Sequence, residues 1–233
     1  MISIIIPVYN QAEKLIKTLD SITRQSYLDY EVIIVNDGSS DNVEMLFAEY
    51  YKKIISNHKY LFINQTNLGA PAARNRGFKE SQGDFIFFCD ADAILQSNAL
   101  ELMQEALINN PEISYVFPSF YWGNKLFKVG EFNPEKLKTA PYIHTMALIR
   151  RSDFPINGWD ENIKKFQDWD LWLTMLEQGK SGFWINKILF KITPGGTISS
   201  WLPAIAYKLC PFLPAVKKYN LALTVIKEKH GLN

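Results

Sequence analysis

The apolar residues at the start of this chain fall into short runs. Ile2–Ile6, Val32–Val35, Tyr60–Ile63 and Phe85–Phe88 are four or five residues each, β-branched or aromatic, and bounded by Asn, Asp or Gly. Runs of that length and make-up predict strands buried on both faces, as in a parallel sheet. Between them the spacing turns helical. Leu15, Ile16, Leu19 and Ile22 form one stripe, with Asn10 as the expected cap and Glu13 completing a capping box. Met45, Leu46 and Tyr50 predict a second helix opened by Ser39, Ser40 and Asp41, and a third spans about Ala70–Ser81 before Gly83. The alternation is βαβαβαβ, hence an open α/β sheet with right-handed crossovers.

The second half is less regular. Ser97 is the expected cap of a helix reaching Leu107, followed by strand-like pieces at Tyr115–Phe120 and Leu126–Val129 with a Gly123-Asn124 turn between them. Another strand is expected at Thr145–Ile149 and a helix at Asp168–Gln178, with Leu171, Trp172, Met175 and Leu176 on one side. No repeat, linker or low-complexity tract divides the chain. The expectation is one domain over 1–200, with a nucleotide-binding half at 1–95 and an acceptor half at 96–200, then a tail at 201–233.

Composition narrows the class. The 233 residues are 47% hydrophobic and 14% aromatic, enough to fill a core and too much for disorder. A net charge of +1 gives no general basic surface, so nucleic acid is not an expected partner. Cys89 and Cys210 show no metal or redox spacing, which suits a reducing, cytoplasmic setting. The start of the chain lacks the basic region of a signal peptide, and the apolar stretch Trp201–Val216 is broken by Lys208, Pro203, Pro211 and Pro214. The tail holds five lysines against Glu228, leaving the first two hundred residues at −3. Two readings of it stand open: a helix packed on the domain, or a segment lying on the inner, anionic face of a membrane.

In open sheets of this kind, ligands sit beyond the carboxyl ends of the strands. Those ends are Pro7-Val8-Tyr9-Asn10, Asn36-Asp37-Gly38-Ser39, Asn64–Gly69 and Cys89-Asp90-Ala91-Asp92. Asp90 and Asp92, one residue apart in a loop, can hold a hard divalent cation whose other ligands are waters and substrate phosphates. Taken alone such a pair would more often be turn and capping residues; at the tip of the fourth strand, metal binding is the stronger reading. Asp37 can accept from a base N–H or a ribose hydroxyl, or close an Asx-turn. Tyr9 can stack on a planar base or pack under a loop. Arg74 can face a phosphate or a surface carboxylate. Asp168 and Asp170 lie two apart and cannot share a helix face, so one is expected in the cleft and the other as a cap or in solvent. Aromatic neighbours would raise the pKa of the cleft carboxylate toward that of a general base. His58, His144 and His230 fall in no metal spacing and read as structural.

In order, Ser3–Asn10 (SIIIPVYN), Glu31–Asp41 (EVIIVNDGSSD), Asn67–Gly77 (NLGAPAARNRG), Gly83–Leu95 (GDFIFFCDADAIL), Asn157–Glu161 (NGWDE) and Gln167–Leu173 (QDWDLWL) resemble glycosyltransferase family 2, the inverting enzymes of the GT-A fold. The resemblance covers about residues 1–200. It implies a mostly parallel Rossmann-like sheet with a smaller mixed acceptor-side region. It implies too a nucleotide-sugar donor (a UDP-sugar by family frequency), a saccharide or lipid-linked acceptor, and Mn²⁺ or Mg²⁺. Pro7, Tyr9, Asp37, Gly69, Arg74, Asp90 and Ala91 would then line the donor site, Asp92 with Asp90 would hold the metal, and Asp168 would be the base. Polysaccharide or glycolipid synthesis is the family's usual setting.

Two positions depart from the family pattern: Gln167 stands where Glu is usual before Asp168, and Thr193 where a His is frequent. They sustain an alternative, a nucleotide-sugar-binding protein of the same fold that has lost transfer and acts as a partner or regulator. A sugar-1-phosphate nucleotidyltransferase would need a glycine-rich basic loop after the first strand, which Pro7-Val8-Tyr9-Asn10 is not.

Overall fold

The computed structural model describes residues 1–54, 58–195 and 212–232. One mixed sheet runs through it. Its strands are β1 (Ile2–Val8), β2 (Tyr30–Asp37), β3 (Lys59–Gln65), β4 (Phe85–Phe88), β5 (Ala93–Leu95), β6 (Tyr115–Trp122), β7 (Lys125–Phe127), β8 (Leu148–Arg150) and β9 (Gly182–Ile192). The spatial order is β3-β2-β1-β4-β8-β6-β9-β5, with β7 hairpinned onto β6. The first four strands are parallel, as their apolar runs predict, and β1 and β2 are buried along almost their whole length. Beyond β4 the sheet turns antiparallel through β8, and β6 and β9 then pair in parallel across a register shift near Ser119. β5, β9 and a short helix at Pro134–Thr139 carry no signal in the sequence reading.

Helices α1 (Ala12–Thr23), α2 (Val43–Lys53), α3 (Ala70–Glu80), α4 (Ala99–Asn109), α5 (Pro134–Thr139), α6 (Gln167–Glu177) and α7 (Pro214–Lys229) cover the sheet. α3 lies close to it because its inner face is Ala72, Ala73 and Gly77. A Cβ on Gly77 would stand 2.4 Å from Cγ2 of Ile5. That closeness sets how deep Arg74, one turn earlier, reaches.

The expected caps are displaced. Asn10 does not cap α1; its backbone is left-handed (φ 51°), and its Oδ1 accepts from the Ser40 N–H at 2.8 Å. α1 starts at Ala12, whose N–H donates to Asp41 Oδ2 at 2.9 Å, so the cap comes from the loop before α2. Ser39 likewise serves that loop, its Oγ accepting from the Asn10 N–H, and α2 opens only at Val43. α4 begins at Ala99, past Ser97, and its Leu100 N–H donates to the buried side-chain oxygen of Gln25 on the α1–β2 connection.

The described part of the tail is the helix α7, docked through Val216 and Ile226, both fully buried. Residues 201–211, which include most of the broken apolar stretch and Cys210, lie outside the described residues. Among the described residues no helix is long and apolar enough to cross a membrane.

The α3–sheet contact gives the first test. Gly77→Ala is expected to cost about 1–3 kcal/mol, because Ile5 has no room to yield inside a packed core. Urea unfolding of the two proteins measures it, and equal midpoints would mean that α3 does not bear on β1 as described.

Candidate active site

A crevice opens where β1 and β4 part. Ile5 C=O accepts from the Cys89 N–H at 2.9 Å, so the next residue on the same side of β1 is Pro7. β4 has ended at Phe88 by then, and proline, lacking an N–H, leaves no donor unpaired at the gap. Tyr9 follows at the rim with 38% of its surface exposed, so its ring is accessible to a planar ligand.

Asp37 closes β2 and is buried. Its Oδ1 accepts from Gln65 Nε2 (2.8 Å) and the Leu68 N–H (2.9 Å), and its Oδ2 from the Gly69 N–H (2.9 Å). The carboxylate shapes the loop that opens α3, where Gly69 takes φ 97°, and of its roughly four lone-pair positions about one is left for a ligand. Gly38 is needed beside it: at φ 72°, a Cβ there would meet the Asn67 nitrogen at 2.7 Å.

The Asp90-Ala91-Asp92 turn is braced from below. Ala91 is buried, and its carbonyl accepts from Thr18 Oγ1 of α1 at 2.8 Å. The Asp92 carbonyl accepts from the Thr193 N–H at 2.9 Å, so the position where the family often has His here contributes its backbone. The side chain of Asp92 is 11% exposed. Burial first, then the neighbouring Asp90, pushes its pKa up to about 6, against the pull of Lys14. Lys14 Nζ stands 3.8 Å from Asp92 Oδ2 and donates to the Pro194 carbonyl at 3.3 Å.

Arg74 joins this turn to α6. Nearly buried, it lies 4.6 Å over the Trp159 ring; NH1 donates to Gln167 Oε1 at 3.1 Å and NH2 to Asp90 Oδ1 at 3.3 Å. Its Nε is buried without a hydrogen-bond partner. Gln167 uses both ends of its amide, because Nε2 donates to the Ile163 carbonyl at 3.1 Å. A glutamate could not make that second bond. Trp159 is held by Asn75 of α3, whose Oδ1 accepts from the Trp159 N–H (2.8 Å) and whose Nδ2 donates to its carbonyl (2.9 Å). The Asn75 amide fills the space that a Cβ on Gly158 would need, 2.4 Å away.

Asp168 opens α6 after Phe166, which takes a left-handed backbone at φ 60°. One of its oxygens accepts from the Trp169 N–H at 2.9 Å. Burial raises its pKa, and His144, that N–H and Arg74 hold it back. Asp170 is neither a cap nor in solvent. It is buried, facing away from the crevice into contacts with Lys229 and His230 of the tail, because about 100° of rotation per residue carries the two carboxylates to different sides of α6.

His144 and Lys14 are the site residues that local sequence patterns miss. β8 runs antiparallel to β4, with Phe87 opposite Leu148, so the residues before Leu148 lie beyond the end of β4, beside Asp90. His144 Nε2 is 3.7 Å from Asp90 Oδ2. Its Nδ1 accepts from the Met146 N–H at 3.2 Å, which in the neutral ring puts the proton on Nε2, toward the carboxylates. Burial lowers its pKa despite Asp90 and Asp168. The pairing of distant strands was the missing signal.

Asp90 and Asp92 supply hard oxygen donors at a point whose carboxylates are under-neutralised. Among the described residues no group of three or more His, Cys, Asp or Glu could hold a metal. With two carboxylates alone, the pair would hold Mg²⁺ or Mn²⁺ only if further oxygens came from water or from a ligand.

A sequence profile described as "Glycosyl transferase family 2" matches residues 3–155. The poly-β-1,6-N-acetyl-D-glucosamine synthase of Staphylococcus epidermidis is 32% identical over 65% of this chain and 35% of its own length. The chondroitin synthase of Pasteurella multocida is 29% identical over 82% of this chain and 20% of its own. An uncharacterized glycosyltransferase of Rickettsia bellii is 29% identical over 86% of this chain, which spans 30% of that protein. The chain thus spans about a third or less of these curated relatives. Among solved structures, S. aureus TarS 1–349 with UDP-GlcNAc superposes with a TM-score of 0.70 at 21% identity, over 89% of this chain and 63% of that one. The mannosyltransferase PcManGT of Pyrobaculum calidifontis, with GDP-Man and Mn²⁺, gives 0.69 at 16% identity, over 96% and 74%. At these identities the likeness is one of fold, the GT-A fold.

The raised pKa of Asp92 sets the sign of a pH effect. The folded state keeps a proton that the unfolded chain loses near pH 4, so stability falls as pH rises from about 4 through about 6 and the cost is complete above that. Asp92→Asn, in EDTA, is expected to be about 3 kcal/mol more stable than the parent at pH 7.5 and no more stable at pH 3.5. Urea titrations at the two pH values decide it; a less stable variant at pH 7.5 would show that Lys14 already neutralises the pair.

Proposed function

Since this chain belongs to glycosyl transferase family 2, we propose that it is an inverting, metal-assisted glycosyltransferase moving a sugar from a nucleoside-diphosphate donor, a UDP-sugar first, to a hydroxyl of a saccharide or lipid-linked acceptor. The observation that carries this reading is the convergence on one crevice of Asp90 and Asp92, Arg74 and Asp168, from three separate segments. Two of the relatives add support, being named as polysaccharide synthases, and the structural neighbours hold UDP-GlcNAc or GDP-Man.

In this proposal Tyr9 stacks on the base, and Asp37 takes a base or ribose donor with its remaining lone pair. Pro7, Gly69 and Ala91 shape the backbone around the donor. Asp90 and Asp92 hold the cation, which when bound offsets the charge that develops on the leaving diphosphate. Arg74 fixes Asp90 and sets its distance from Asp168 through Gln167. The half-buried carboxylate of Asp168, its pKa raised by desolvation above the ordinary carboxylate value, accepts the acceptor's hydroxyl proton. The freed oxygen attacks the anomeric carbon opposite the diphosphate, and one displacement inverts the centre. Exposed Leu221 and Val225 beside Lys217 and Lys218 give α7 a face, with exposed Phe212 just ahead of the helix, that we assign to peripheral contact with anionic lipid. Leu221→Asp should then reduce pelleting with anionic liposomes and leave neutral ones unaffected.

Thermal unfolding with UDP, GDP or dTDP, each with and without Mn²⁺, tests the donor site: a ligand at 100 times its Kd adds about 2.7 kcal/mol. One nucleotide is expected to stabilise the protein, and only with Mn²⁺. Asp168→Asn should keep that shift while transfer falls by about a hundredfold or more. Undiminished transfer would remove Asp168 from the base role, and no shift with any nucleotide would remove the donor site.

A further inference from the structure

The C-terminal helix grips α6 at both ends. At the start, the Tyr219 ring meets Phe166 edge-on with centroids 5.1 Å apart, directly before Gln167 and Asp168. Further along, Lys229 Nζ and His230 Nε2 both contact Asp170 Oδ1, at 2.7 and 2.9 Å, and His230 Nδ1 contacts Glu177 Oε1 at 2.7 Å. Lys229 also donates to Asp160 Oδ2 at 2.8 Å, tying in the loop that carries Trp159 under Arg74. The imidazole is 2% exposed, and each of its nitrogens faces a carboxylate oxygen. Only the doubly protonated ring can donate to both; a neutral ring would turn a lone pair on one of them.

We propose that α7 is a splint for α6, and that His230, in its charged form, is a positioning residue setting where Asp168 stands in the crevice. The assignment of transfer chemistry to Asp168 rests on the function proposed above; the mechanical coupling does not. The charged groups around His230 are Asp170 and Glu177 of α6, Lys229 of α7, and Asp160 and Glu161 of the loop across the same cavity. Burial opposes its charge, and hydrogen bonds to Asp170 and Glu177 outweigh that, leaving the pKa above the ordinary histidine value. The grip is therefore complete below about pH 6.5 and lost as pH rises through the raised value.

The test uses the full chain, with hydrogen-exchange protection of residues 166–177 read against α3 as an internal control, alongside nucleotide release from the donor chosen by thermal shift. His230→Gln should lower protection in α6 about tenfold at pH 6.5 and leave α3 unchanged, and the parent should approach the variant as pH rises. In release assays the variant should lose about fivefold or more in kcat with KM for the donor unchanged, while His230→Lys, charged at every pH used, should recover part of the loss and flatten the pH dependence. If His230→Gln does not fold, Glu177→Leu, which removes the acceptor of one contact at the exposed end, is read the same way. Unchanged α6 protection in the variants, or reduced protection with unchanged kcat, overturns the proposal. Should the parent release no nucleotide from any donor, the transferase reading fails instead, and α6 protection alone decides the splint.

Discussion

The guanidinium of Arg74 is the fixed point of the molecule. A charge this deeply buried is tolerated only when paired, and its pairs are the parts that must meet: Asp90 from the end of β4, Gln167 from the start of α6, and the Trp159 face from the intervening loop. Its depth depends on the missing Cβ of Gly77, which lets α3 settle onto β1. Its ring partner depends on Asn75, one residue later, clamping the Trp159 backbone. The crevice is therefore assembled around one helix made of small residues, with the sheet beneath and α6 opposite.

Charge at the crevice is unbalanced by construction. Around Asp90, Asp92 and Asp168 the nearby fixed cations are Arg74 and Lys14; burial raises the pKa of Asp92 and of Asp168, and the charge of Asp90 adds to both. Such a site favours any positively charged occupant and disfavours a bare diphosphate. In the proposed reaction, a donor arriving with a divalent cation would satisfy both preferences at once.

Much of this could be read along the chain. The four parallel strands and α1 to α3 follow from apolar runs and stripes, and the acidic strand ends stand where the topology puts ligands. What could not be read came from partners distant in sequence. Asn10 and Ser97 look like caps, yet Asp41 and Gln25 do the capping across the fold. β9 is half-exposed and mixed in character, so it becomes a strand only through β6 and β5. His144 reaches the site because β8 runs back alongside β4, and Asp170, where a cap or a solvent position is expected, is buried against the tail, which is distant in sequence. Gln167, a departure from the family pattern, turns out to have a bond at each end of its amide, so the sequence difference has a structural use.

Pro7 carries one last consequence. Where β1 and β4 separate, Pro7 offers a carbonyl but no N–H on the open side, so a neighbouring strand would find an acceptor there and no donor. The mouth is thus a seam with one stitch missing. A molecule entering it breaks no main-chain bond of β1, and one leaving exposes no stranded donor. Admission and release are left to side chains and loops, and the sheet itself stays indifferent to whether the crevice is filled.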